Sequence, residues 1–224
     1  MKNEPRDVEL EERMVKFDTW VKEGKIPCSS KVIPVNQSLS TLQWVLPTQQ
    51  VLEILRNSRS YALAKCLCRS KHQRCDNPLE VCFYTNDVAD KKVAEGSARF
   101  VDLTEAAERL KLANEYGLVH LTIYNPEQHV YAVCSCCECC CHDIEFMKKL
   151  GRPDLVAHAD YIASVDADSC INCKACVDRC VFDAQVIQGE TVAYHPEKCY
   201  GCGLCVTTCP AGSISMVLRN KPAC

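Results

Sequence analysis

Residues 170–181 read CINCKACVDRCV and residues 199–210 read CYGCGLCVTTCP. Both are C-x2-C-x2-C-x3-C. The second copy starts 29 residues after the first (from 170 to 199), and the flanks FDAQVI and AGSISM match loosely. This internal repeat constrains the chain more than any other feature. Structural zinc sites usually pair two C-x2-C knuckles across a longer spacer. A third cysteine in step, followed by C-x3-C, is a poor fit to that plan.

The repeat, with Pro210 closing its second copy, closely resembles the two-cluster bacterial ferredoxins over roughly residues 161–219. A 4Fe–4S cubane has one open coordination site on each iron, and these sites point to the corners of a tetrahedron. A loop with a cysteine at every third residue wraps around and meets three corners. In this family the fourth thiolate comes from the other repeat. The resemblance therefore implies one cubane on Cys170, Cys173, Cys176 and Cys209, and another on Cys199, Cys202, Cys205 and Cys180. The swap ties the repeats together, so a small segment gains a fold from its cofactors. Val181 stands where the first copy would carry proline, which loosens a turn and removes no ligand. Gly201, Gly203 and Gly212 allow tight turns and close approach of amide N–H groups to sulfur. This segment carries no redox-active side chain or substrate pocket, so its expected job is electron transfer.

The chain has 20 cysteines in 224 residues. No basic, then apolar, leader opens the sequence, which argues for a reduced cytoplasmic setting and against a disulfide scaffold. No apolar run approaches the ~20 residues of a membrane span. A net charge of −3 gives no electrostatic case for nucleic acid or an anionic membrane. Asp166, Asp168, Asp178 and Asp183 crowd the first repeat. They suit a low potential, or a solubilising surface, or docking of a basic partner.

The first 160 residues read as helices and strands. Leu10, Met14, Phe17 and Val21 recur at helical spacing until Gly24 and Pro27, and residues 27–47 read as extended. PTQQVLEILRNS predicts a helix with Thr48 as cap and Val51, Leu52 and Leu55 inward. NDVADKKVAEGS predicts a helix capped by Asn86 and stopped at Gly96. In DLTEAAERLKLANEYG, Asp102 and Glu105 have capping-box spacing and Gly117 suits the C-terminal stop. LVHLTIY, NPEQ and HVYAV predict a β-hairpin, and HDIEFMKKLG a helix closed by Gly151. His120 and His129 fall on strands and read as structural.

Two cysteine groups interrupt this pattern. Cys66, Cys68, Cys75 and Cys82 lie in CLCRSKHQRCDNPLEVC; an extended backbone would put Cys66 and Cys68 on one face. Arg69, Lys71, His72 and Arg74 between them either offset thiolate charge or form a solvated surface, with His72 read as a lone exposed side chain. Cys134, Cys136, Cys137, Cys139, Cys140 and Cys141 form CSCCECCC at a strand-to-helix junction. Cys134, Cys137 and Cys140 make one C-x2-C-x2-C frame and Cys136 with Cys139 a second. Cys140 and Cys141 sit near a helix N-terminus, which favours thiolate. Cys28 and Cys224 have no partners in sequence and read as unligated.

Three readings stay open for these ten thiols: one or two further 4Fe–4S clusters, an unusual catalytic cluster, or structural zinc. The Cys136–Cys137 pair resembles the CC pair of the cysteine-rich domains of heterodisulfide-reductase-type proteins, with Glu138 where that pattern has glycine. The whole layout resembles multi-cluster ferredoxin-containing proteins of anaerobes, which relay electrons within larger redox complexes. The expected fold is α+β: an α/β cysteine-rich domain over 1–160 and a two-cluster ferredoxin domain over 161–224. The expected function is low-potential one-electron transfer by a non-catalytic protein or subunit. A reductase subunit acting on a thiol, disulfide or other small substrate, and a ferredoxin with a zinc-stapled docking domain, are the alternatives. With no G-x-G-x-x-G or G-x4-G-K-[ST], no nucleotide or flavin site is expected, so other redox proteins must give and take the electrons.

Overall fold

The structure is a computed structural model that describes residues 7–33, 47–127 and 129–219. Helix α1 (Val8–Lys22) is capped by the Asp7 carboxylate, which accepts the Leu10 N–H at 3.1 Å, and it buries Leu10 and Phe17. Strand β1 (Ser30–Ile33) and helix α2 (Pro47–Asn57) follow. The α2 helix starts at Pro47, so Thr48 lies inside its first turn and not at the cap. Residues 34–46 of the segment read as extended lie outside the described residues, as does Cys224. Strand β2 (Tyr61–Lys65) runs into a short helix, α3 (Leu67–His72), which then leads to β3 (Glu80–Thr85).

Helix α4 (Asn86–Ala94) has Thr85, not Asn86, as its cap residue. Asn86 instead takes φ +51 and accepts the Arg59 N–H on its side chain at 2.8 Å. After β4 (Ala98–Phe100), helix α5 (Leu103–Glu115) begins at Asp102, which accepts the Glu105 N–H at 2.8 Å. The hairpin of β5 (Val119–Asn125) and β6 (His129–Cys136) is antiparallel and carries His120 and His129 as expected. Helix α6 (His142–Lys148) and the short β7 (Val156–Ala157) complete this part.

These seven strands form one sheet in the order β4-β2-β3-β6-β5-β1-β7. Every neighbouring pair is antiparallel except β1 with β7. Helices and strands mix, but through antiparallel pairing and not through parallel βαβ units. On one face, Val51 and Leu55 of α2 and Ala106 and Leu110 of α5 pack on Leu63, Phe83 and Val133. Full burial of each such aliphatic side chain contributes roughly 1.5–3 kcal/mol. On the other face, Leu10 and Phe17 of α1 and Ile144 and Phe146 of α6 cover Leu121, Ile123 and Ala132. Ala132 and Val133 thus divide between the faces, as neighbours on a strand must. No helix among the described residues is long and apolar enough to cross a membrane.

The C-terminal part is built from β8 (Tyr161–Val165), α7 (Ala175–Arg179), β9 (Gln185–Gln188), β10 (Thr191–Tyr194), α8 (Leu204–Thr208) and β11 (Ile214–Leu218). β8 pairs with β11, and β9 with β10, both antiparallel. The repeat is visible in the backbone. Asn172, Lys174 and Asp183 of the first copy have φ +51, +66 and +55; Gly201, Gly203 and Gly212 of the second have +76, +76 and +63. Each copy therefore needs three left-handed residues, and only the second meets all three with glycine.

This unit docks on the sheet domain through Tyr200. The ring stacks on His158 at 4.1 Å and on Phe182 at 4.6 Å between centroids, and the Tyr200 carbonyl accepts the Ala159 N–H at 2.9 Å. Phe182, Tyr200, Cys202 and Leu204 share one apolar cluster with Ile144, Phe146 and Leu155. The Arg179 guanidinium donates to the carbonyls of Asn114 and Glu115, and Lys148 donates to the Val181 carbonyl at 2.8 Å and pairs with Asp183 at 3.1 Å.

Two outcomes are expected. Lys174→Gly relieves a left-handed lysine and should raise stability by about 0.5–1 kcal/mol, whereas Gly201→Ala should lower it by roughly 2–4 kcal/mol. A Cβ on Gly201 would lie 2.0 Å from the Tyr161 carbonyl oxygen. Urea midpoints of anaerobically prepared protein measure both. Separately, His120 is fully enclosed with Nδ1 2.9 Å from Ser135 Oγ, and burial pushes its pKa down to about 3. The unfolded chain then takes up a proton below the ordinary histidine pKa that the folded chain refuses, so this contribution is lost as pH falls through 6.5 toward 3. Between pH 7.5 and 5.5 the parent should lose about 1.4 kcal/mol more than His120→Gln.

Candidate metal centres

In the C-terminal part, Cys170, Cys173, Cys176 and Cys209 line one cavity, and Cys180, Cys199, Cys202 and Cys205 line another. Each cavity draws three thiols from one copy of the repeat and its fourth from the other. The Ala184 N–H donates to Cys180 Sγ at 3.3 Å. Burial pushes the Cys202 thiol up to about 12, so this sulfur ionises only against a cation or metal. Gln185 lines both cavities at 2% exposure, and neither polar atom of its side chain has a partner among the described residues. A buried amide in that state fits beside an acceptor such as a cluster sulfide. Of the acids near the first copy, Asp166 accepts from the Ser169 hydroxyl at 2.6 Å and the Asp168 N–H at 3.1 Å, and Asp183 joins the seam with Lys148.

The ten N-terminal thiols divide into two groups, and neither follows the expected frames. Cys75, Cys137, Cys139 and Cys140 form the first, with all four Sγ atoms within 4.8 Å of one another. Cys75 to Cys137 and Cys139 to Cys140 are both 3.8 Å. The adjacent pair Cys139 and Cys140 serves one centre, because the turn between β6 and α6 brings both side chains to the same side. The interleaved C-x2-C-x2-C and C-x2-C frames are therefore not the units of the site.

Cys66, Cys68, Cys82, Cys134, Cys136 and Cys141 form the second group. Cys66 meets Cys68 and Cys82, Cys82 meets Cys134, Cys134 meets Cys136, and Cys136 meets Cys141. Cys68, close enough to Cys141 to feel its charge, closes the ring. All six line a single cavity of about 200 Å³. Cys66 and Cys68 share it, though not on an extended strand: Cys66 is the cap residue of α3 and Cys68 lies in its first turn. Hydrogen bonds from Cys68 and then Cys82 hold Cys66 down to about 2, and those from Cys136 and then Cys82 hold Cys134 down to about 5. Their partners Cys68, Cys82 and Cys136 are pushed up by the same contacts. Cys141 caps α6, as its position near a helix start implied.

Positive charge is built into the wall. Arg69 is 2% exposed; its Nη1 donates to the Ser135 carbonyl at 2.9 Å and faces Cys137 Sγ at 3.8 Å. Its Nε and Nη2 have no partner among the described residues, and neither does Nε of Arg13, which lines the same cavity. A buried guanidinium costs several kcal/mol unless an anion meets it. His72 is not a lone surface side chain, because its Nε2 lies 3.0 Å from Nε2 of His142. Arg74 bonds the Cys139 carbonyl at 3.0 Å and the buried Glu145 at 2.6 Å. The residues that sequence reasoning did not single out are Arg13, His142 and Gln185. Arg13 and Gln185 come from elements with no cysteine spacing of their own, and His142, directly after Cys141, reads in the sequence only as the start of a helix. Cys28 is buried in the core.

Residues 163–216 match the family model described as a 4Fe-4S dicluster domain. This segment is a ferredoxin-type 4Fe–4S dicluster domain. Two relatives share it. An archaeal-type glutamate synthase [NADPH] of Dehalococcoides mccartyi is 37% identical over 57 residues, which is 25% of this chain and 11% of the relative. A ferredoxin of Saccharopolyspora erythraea is 35% identical over 52 residues, 22% of this chain and 49% of the relative. The chain thus spans about half or less of the length of these two relatives.

Arg69→Met should strip the wall of its buried charge. The expected result is loss of at least half of the metal held outside the dicluster domain, measured by elemental analysis. Arg69→Lys, which keeps charge without the planar fork, should lose less.

Proposed function

We propose that this chain carries single low-potential electrons through the dicluster domain to an iron–sulfur centre in the six-thiol cavity, as a subunit or partner of a larger redox assembly. The observation that carries this reading is the shared apolar cluster at the seam. Cys202 of one dicluster set and Cys136 and Cys141 of the six-thiol ring belong to the same packed group. The set of Cys180, Cys199, Cys202 and Cys205 is therefore the inner station. The set of Cys170, Cys173, Cys176 and Cys209 is the outer one, with Cys173 exposed where a partner protein can approach.

Bound cubanes would supply one-electron chemistry, and the eight dicluster cysteines would hold them. This chain's own residues exclude water from the inner set, through Phe182, Tyr200 and Leu204, and donate N–H groups to sulfur. Burial of that kind lowers the reorganisation needed when charge moves, and hydrogen bonds to sulfur tune the potential. We assign Cys75, Cys137, Cys139 and Cys140 to a single tetrahedral ion. Metal–sulfur bonds of about 2.3 Å place tetrahedral sulfurs about 3.8 Å apart. That is the separation of the two measured pairs. Among the described residues no three of the six ring thiols draw together within 4.8 Å of one another in this way. Zinc suits this site and would staple the loop carrying Cys75 to the β6–α6 turn. The electrons themselves must enter and leave through other proteins, in a reduced cytoplasmic setting.

Iron, acid-labile sulfide and zinc per chain, on protein purified without oxygen, test this. More than about 8 iron, with matching sulfide and one zinc, is the expected outcome. Cys75→Ser should lose the zinc and keep the sulfide. A value of about 8 iron that Cys136→Ser leaves unchanged would end the wire at the dicluster domain.

A further inference from the structure

We propose that Cys66, Cys68, Cys82, Cys134, Cys136 and Cys141 hold one iron–sulfur cluster larger than a cubane, of the eight-iron class. This deepens the reading that the six-thiol cavity carries iron and sulfide, and rests on it. The first argument is ligand count. A single cubane has four terminal sites and leaves two of these thiols without a role. Two separate cubanes need eight; Cys137 and Cys140 also reach the wall of this cavity, but both already belong to the set at single-ion spacing. Two cubanes joined through one shared sulfide give up one terminal site each. Six sites remain, and six thiols are present.

The second argument is space. The cavity among the six thiols is about 200 Å³, against about 20 Å³ and 30 Å³ at the two dicluster sets. The N-terminal site is thus more than twice the size of either cavity that fits a cubane. The thiols also come from every side of it. Cys66 and Cys68 are at the start of α3, Cys82 is on β3, Cys134 and Cys136 are on β6, and Cys141 caps α6. Thiols spread over four elements can reach both halves of a long cluster.

The third argument is charge. Six thiolates and the sulfides they enclose leave a large negative charge in a place water barely reaches. Arg69 lies in this wall almost wholly buried, with two nitrogens that no protein atom satisfies among the described residues. Arg13 presents a third such nitrogen. Unmet donors on two guanidinium groups, aimed into one cavity, fit an anion with many acceptor atoms. Protonated thiols do not meet that need.

The test is iron and sulfide per full-length chain, purified and reconstituted without oxygen. Each sample is also treated with iodoacetamide before and after metal removal, and alkylated cysteines are mapped by mass spectrometry. About 16 sulfide-associated iron per chain, with all six thiols protected until the metal is stripped, is the expected result. Cys68→Ser and Cys134→Ser, at opposite sides of the ring, should each lose more than four irons, while the eight of the dicluster domain remain as proof that the chain folded. About 12 iron, whether or not two of the six thiols alkylate, overturns the proposal and leaves the electron relay standing with an ordinary cubane. About 8 iron overturns both.

Discussion

The N-terminal domain depends on one contact: a buried guanidinium surrounded by sulfur. Arg69 sits between the two thiol groups, facing Cys137 of one while lining the cavity of the other. Without thiolate or sulfide beside it, its charge would be stranded in a medium that solvates it poorly. Without it, ten thiols would have no counter-charge at the centre of the wall. In the proposed reading the arginine and the metals it would neighbour are conditions for each other, so folding of this region would be linked to loading. The antiparallel hairpin of β5 and β6 makes the arrangement possible. Its register sets Ser135 opposite His120, and the Ser135 carbonyl anchors Arg69 from behind.

The dicluster domain is tied to this wall by side chains adjacent to its own ligands. Tyr200 follows Cys199 and Phe182 lies two residues past Cys180, so the residues that hold the inner set also make the seam. Arg219 donates to the carbonyls of both Ala159 and Cys199, clamping the linker to the second ligand loop. A seam built this way keeps the inner station at a fixed place relative to the six-thiol cavity. Fixed placement is what a relay needs, since tunnelling falls steeply with separation.

How much of this was legible in the sequence follows from how local each feature is. The eight cysteines of the dicluster domain stood out because a strict spacing marks them. The structure groups the eight thiols into the two sets that the ferredoxin resemblance implies. The helices α1, α2 and α5 and the β5–β6 hairpin were readable from periodicity and caps. The partition of the other ten thiols was not, because it is set by contacts between residues far apart in sequence, such as Cys82 with Cys134 and Cys75 with Cys137. The left-handed Asn86 escaped for a different reason: asparagine is equally at home as a cap and at positive φ. The burial of Arg69 escaped because a basic residue in a polar stretch reads first as surface.

The run CSCCECCC makes sense once its members are assigned to two centres. On the strand, Cys134 and Cys136 point the same way and face the ring. The chain then leaves the strand, and Cys137 turns to the four-thiol group. Cys139 and Cys140 stay with that group, and Cys141, at the cap of α6, returns to the ring. Doublets such as Cys136–Cys137 and Cys140–Cys141 are therefore boundaries. At these two doublets, unlike Cys139–Cys140, adjacent thiols part to opposite sides. A single loop that reaches both groups forces them to be neighbours. In the proposed reading, an ion stapling the four-thiol group would hold the ring's thiols in place on the other side.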